Sequence, residues 1–113
     1  MKRIQREVVL SIAMQIARLA DIADAKEHFA RVAHESAVDV RILYQQSKSP
    51  VAERALFRAS KRETQAILDF MEAAEAVRSG RQALHFVLEA GKAGEQNDSE
   101  SVADRLRGHH GRM

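Results

Sequence analysis

Apolar residues recur at alternating three- and four-residue steps along the first part of the chain. The seam runs Val9, Ile12, Ile16, Leu19, Ala23, Lys26, Ala30, Ala33, Ala37, Val40 and Tyr44, with Lys26 its one charged member. That heptad predicts one long helix over about Arg3 to Gln46. A neighbouring row of Val8, Ile22, Phe29 and Leu43 widens the stripe on one side. Such a stripe is too broad for a plain two-stranded coil and suits a helix inside a four-helix bundle. At 1.5 Å per residue the helix would be roughly 65 Å long. No small domain buries that length by itself, so its N-terminal part is expected to pair with a second copy or with a partner.

The pattern breaks at Q-S-K-S-P. Ser49 is a good N-cap and Pro50 a good first helical residue, since its missing N–H is needed by no intrahelical bond there. A second helix is predicted from Pro50 to about Ser79, with apolar positions Leu56, Ala59, Ala66, Ile67, Phe70, Met71, Ala74 and Val77. Gly80 stands where a C-terminal stop is expected. Glu63 interrupts the seam, inside a polar belt with Lys61 and Arg62. The short connection implies an antiparallel hairpin. A second helix of that length covers the first only from about Arg18 to Tyr44, leaving Val9, Ile12 and Ile16 uncovered. Phe29 and Phe70 are expected to face the interior at a similar level. The run Arg81 to Ala90 reads as a short third helix. From Gly91 the sequence is polar, with Ser101 able to cap a last turn or two before the G-H-H-G-R-M end. The fold class is therefore all-α: a long antiparallel hairpin that dimerises into a four-helix bundle, with a short third helix and a flexible C-terminal tail. Residues 1–90 form the bundle domain and 91–113 a linker and tail.

Composition narrows the function classes. The 113 residues include no cysteine, which removes disulfides, thiolate metal sites and thiol chemistry together. Aromatic content is 4 %, too low for a base-stacking surface. The net charge of +2 is mild and both signs are interspersed, which argues against a nucleic-acid partner. No apolar run approaches the roughly 18 residues of a membrane span. The basic start runs directly into an amphipathic pattern and does not read as a signal peptide. A cytoplasmic location is the expectation, and no cofactor or metal is implied.

Candidate chemistry gathers in the middle of the first helix, in D-A-K-E-H-F-A-R-V-A-H-E from Asp24 to Glu35. His34 falls at an edge position of the heptad, between seam and solvent. Glu35 stands beside it and Asp39 one turn further on. A histidine held by a rigid bundle yet reachable from outside can receive a transferred group, and a neighbouring carboxylate can accept a proton. The plainer reading is a solvated face on which Arg31 and Glu35 pair four residues apart. His28 and His34 point in different directions and make a poor metal pair. His109 and His110 are adjacent near the C-terminus, where a solvated tail is the ordinary reading. Arg54, Arg58, Lys61 and Arg62 spread along one side of the second helix, diluted by Glu53 and Glu63. They rank third, as a phosphate-contacting surface.

The stretch resembles the start of the dimerisation and phosphoacceptor hairpin of sensor histidine kinases. In that family a charged approach and a Phe precede a His-Glu pair, matched here by Asp24, Lys26, Glu27, Phe29, His34 and Glu35. The resemblance spans about Ile22 to Gly80. It implies that His34 carries a phosphoryl group and Glu35 assists proton transfer. The chain departs from the family pattern in several places. Phe29 stands one residue closer to the histidine, Val38 replaces a polar residue, and Asp39 replaces a helix-kinking proline. The residues after the hairpin are too few for an ATP-binding sheet and include no Gly-rich lid, so autophosphorylation in isolation is not expected. The reading is a signalling interaction module that forms a homodimer and docks on a kinase or response regulator, with phosphotransfer through His34 as a refinement. The alternative is a non-catalytic helical adaptor, or a small structural or regulatory subunit of a larger assembly.

Overall fold

The heptads fold into two helices, α1 over Arg3–Ser47 and α2 over Pro50–Gly111. The computed structural model describes residues 3–111, with side chains described for residues 3–92. Within that span the chain is helical apart from the turn, as the near absence of Gly and Pro before residue 90 requires. The Ser101 cap and the His109–His110 pair lie outside the described side chains, and the chain ends lie outside the described residues.

The turn is built by local chemistry. Ser47 Oγ donates 3.0 Å to the Leu43 carbonyl, and the Lys48 N–H donates 2.8 Å to the Tyr44 carbonyl. The second satisfies a carbonyl that the end of α1 would otherwise leave open, and the first adds a side-chain bond to the last turn. Lys48 takes φ 47°, the left-handed conformation that reverses the chain. The Ala52 N–H then donates 3.1 Å to Ser49 Oγ, which is the N-cap bond expected of that serine, with Pro50 following as the first residue of α2.

The chain divides into two units. One is Ile16–Ser79, the antiparallel hairpin proper. Its α1 seam follows the register read from the sequence. Ala23 and Ala37 are buried, and Ile16, Leu19, Lys26, Ala30, Ala33, Val40 and Tyr44 are half-buried. The facing seam on α2 is Ala52, Leu56, Ala59, Glu63, Ala66, Phe70, Ala73 and Val77, of which Ala59 and Val77 are buried. Alanine at so many seam positions keeps the area buried between the two helices small. Of the two phenylalanines expected to face the bundle interior, Phe70 sits in the seam, half-buried, while Phe29 lies on its flank and is 65 % exposed in the single chain.

The other unit joins the residues up to Gln15 with those from Gly80 onward. Here Val9 and Ile12 of α1 are half-buried, as are Leu84, Val87 and Leu88 of α2. The expectation that helix two stops at Gly80 is therefore corrected, and the short helix over Arg81 to Ala90 is part of α2. With that correction Val9 and Ile12 are not left uncovered, because α2 runs on past them. Ile16, counted with them, is half-buried in the hairpin unit. The physical reason is that a single glycine inside a helix costs only about 1 kcal/mol relative to alanine. Gly80 also falls on the seam itself, where the heptad continues through Leu84 and Val87 to Gly91. Gly91, like Gly80, is inside the helix.

These placements generate a stability series readable by urea unfolding. Ser49→Ala should lower stability by about 1 kcal/mol through loss of the cap. Lys48→Gly should raise it by up to about 1 kcal/mol by relieving the left-handed strain. Gly91→Ala should raise it by a similar amount, about 1 kcal/mol, since a Cβ there meets nothing within 4 Å.

Candidate functional site

The seam residue that is neither apolar nor small on α2 is Glu63, and it finds a partner across the hairpin. Its Oε2 lies 3.2 Å from Nδ1 of His34, so the imidazole N–H donates to the carboxylate. The edge position of His34 on α1 brings its ring over the seam position that Glu63 holds on α2. The pair is asymmetric in exposure: the His34 side chain is 61 % exposed and that of Glu63 21 %. The carboxylate fixes the ring and leaves Nε2 without a protein partner among the described residues.

Glu35 lies elsewhere. It is exposed and makes no side-chain hydrogen bond or ion pair among the described residues, and the same holds for Asp39. The acid that meets His34 is thus twenty-nine positions away, on the other helix, and not its neighbour in sequence. Successive residues of a helix point about a hundred degrees apart, so Glu35 is turned toward solvent when His34 is turned toward the hairpin. Sequence reasoning had noticed Glu63 only as an interruption of the seam. A charged residue at a core heptad position, opposite a histidine at an edge position, is the signal that would have found the pair.

The solvated-face expectation is also redrawn. Arg31 pairs with Glu27, Nη2 to Oε1 at 2.8 Å, and not with Glu35. His28 touches only its neighbour Phe29, ring centroids 6.4 Å apart. Among the described residues no group of three or more His, Asp or Glu is placed to hold a metal ion.

The opposite flank of the hairpin carries a shallow open groove. Lys26, Phe29, Arg62, Gln65, Ala66 and Asp69 line it, and it continues along Leu19, Ile22, Glu72 and Ala76. Gln65 Nε2 donates 2.9 Å to Asp69 Oδ1, which holds that carboxylate along α2. Lys26, the charged residue of the α1 seam, belongs to this flank, whereas Glu63 belongs to the His34 flank. The two polar seam residues therefore mark opposite sides of the hairpin. No described helix is long and apolar enough to cross a membrane.

Comparison with protein-family models, with curated proteins and with solved structures finds no match for the chain.

The His34–Glu63 pair predicts a small effect from breaking it and a larger one from replacing it. His34→Gln or Glu63→Gln should each lower stability by no more than about 1 kcal/mol, as for other solvent-accessible pairs. Glu63→Leu should raise stability by about 1 kcal/mol or more, because it fills a heptad core position with an apolar side chain. Chemical denaturation of the three variants beside the parent checks the order.

Proposed function

We propose that the chain is a helical protein–protein interaction module that completes its core by pairing, first with a second copy of itself in a four-helix bundle, and that acts as an adaptor for a protein partner. One observation carries this reading. Among the described residues the hairpin buries only Ala23, Ala37, Ala59 and Val77, while Ile22, Phe29, Leu43, Phe57, Leu68 and Met71 are each half or more exposed. Fully burying a side chain of that size is worth about 1.5–3 kcal/mol over leaving it in water. A row of alanines cannot supply the stability that these residues forgo. Apolar side chains exposed in rows along a rigid element mark a surface that another protein covers.

Sedimentation at graded concentration tests the reading. The expected result is a dimer or larger species at micromolar concentration, with thermal stability that rises with concentration. A monomer with a cooperative melt independent of concentration overturns it.

A second reading is favoured by the His34 geometry. A ring tied at Nδ1 to a carboxylate, with Nε2 open to solvent, is oriented to act as a nucleophile. It supports the signalling version, in which a bond forms from His34 Nε2 to phosphorus as the donor's bond to phosphorus breaks. The donor would be a partner kinase or a phosphorylated response regulator. On this reading Glu63 orients the ring and is placed to take the Nδ1 proton, the role that the sequence had put on Glu35. Incubation with such a donor should leave acid-labile label on this chain. His34→Gln should remove the label and leave self-association unchanged, and Glu63→Gln should slow transfer. Label that persists in His34→Gln, or none in the parent, overturns this second reading and leaves the adaptor standing.

A further inference from the structure

Among the exposed apolar residues of α1 in the hairpin unit, Ile22, Phe29 and Leu43 form one row on the groove flank, 50 %, 65 % and 57 % exposed. Across the groove α2 presents Ala55 and Ala76 at the two ends of that row, with Arg62 and Asp69 between them. The His34–Glu63 contact fixes the levels, since each step up α1 is a step down α2. Leu43 therefore lies near the level of Ala55, and Ile22 near that of Ala76. At both ends of the flank a large side chain on one helix thus stands level with an alanine on the other, an arrangement that a second copy can match.

Charges beyond the row follow the same rule. Asp39 is five residues past His34 on α1, and Arg58 is five before Glu63 on α2, so the two stand at one level. Both are exposed, and neither makes an ion pair among the described residues. They lie on the outer sides of their respective helices, two residues past the seam positions Ala37 and Leu56, and away from each other within one hairpin. A second copy laid over the groove brings them together.

We infer that the groove flank is the surface on which a second copy of this chain docks, with α1 of each copy lying over α2 of the other about a two-fold axis parallel to the helices. This deepens the pairing proposed above and rests on it. Ile22 and Leu43 of one copy pack on the partner's Ala76 and the partner's Ala55. Phe29 lies over the stretch between the partner's Arg62 and the partner's Asp69. Asp39 meets the partner's Arg58, twice in the symmetric pair. The His34 flank stays open in the inferred arrangement, and with it Phe57, Ile67 and Met71 for a partner of another kind.

Charge reversal tests the arrangement. Asp39→Arg alone and Arg58→Asp alone should each weaken self-association about tenfold, since each creates two like-charge contacts per dimer. An equimolar mixture of the two variants should recover the parent's affinity, because in the mixed dimer both contacts again join opposite charges. The double variant Asp39→Arg/Arg58→Asp should recover it as well, and circular dichroism should show every variant as helical as the parent. Reversals that leave the dissociation constant unchanged, or a mixture no tighter than its components, overturn this placement while leaving the dimer itself in place. A parent chain that stays monomeric at every concentration removes the dimer and the placement together.

Discussion

Everything described follows from the alanine-rich seam between α1 and α2 in the hairpin unit. Ala23, Ala30 and Ala37 stand near the levels of Ala73, Ala66 and Ala59, interleaved with larger seam residues such as Leu19, Val40, Leu56 and Phe70. Small side chains at these levels bury little apolar area, and many of the large ones lie on the flanks, exposed in a single hairpin. Taken alone the hairpin buries few side chains, and the proposed pairing with a second chain would cover those it leaves exposed.

The two charged seam residues fit the same picture. Lys26 and Glu63 occupy positions where an aliphatic side chain would add stability, and each is only half-buried. Polar residues at core heptad positions commonly trade stability for a unique register. In an alanine seam that function is needed, because small side chains interlock weakly and neighbouring registers are close in energy. Glu63 secures its level by the bond to His34, while Lys26 lines the groove together with Asp69. The His34–Glu63 pair is thus a structural feature whether or not His34 has any chemistry. That double use separates it from Glu35, which has no structural role.

The two flanks differ in what they expose. The groove flank has Ile22, Phe29 and Leu43 beside Arg62 and Asp69, with Asp39 and Arg58 unpaired at one level among the described residues. The His34 flank has exposed Phe57, Ile67 and Met71 beside a reachable imidazole.

The sequence by itself determined the helices, the α1 seam and the turn. Those depend on local periodicity and on the hydrogen-bonding capacity of Ser49 and the missing N–H of Pro50, which act within a few residues of where they stand. It misjudged Gly80, because the cost of one glycine in a helix is local but the seam that outweighs it is shared with the opposite helix. It placed Phe29 in the row beside the seam, and in a single chain that flank position is exposed. It paired His34 with Glu35 because they are neighbours, whereas adjacent residues on a helix diverge and residues on facing helices converge. Only the tertiary structure decided which levels of α1 and α2 face each other. That level is set by the joint fit of both seams, and it alone brought Glu63 to His34 and placed Asp39 level with Arg58.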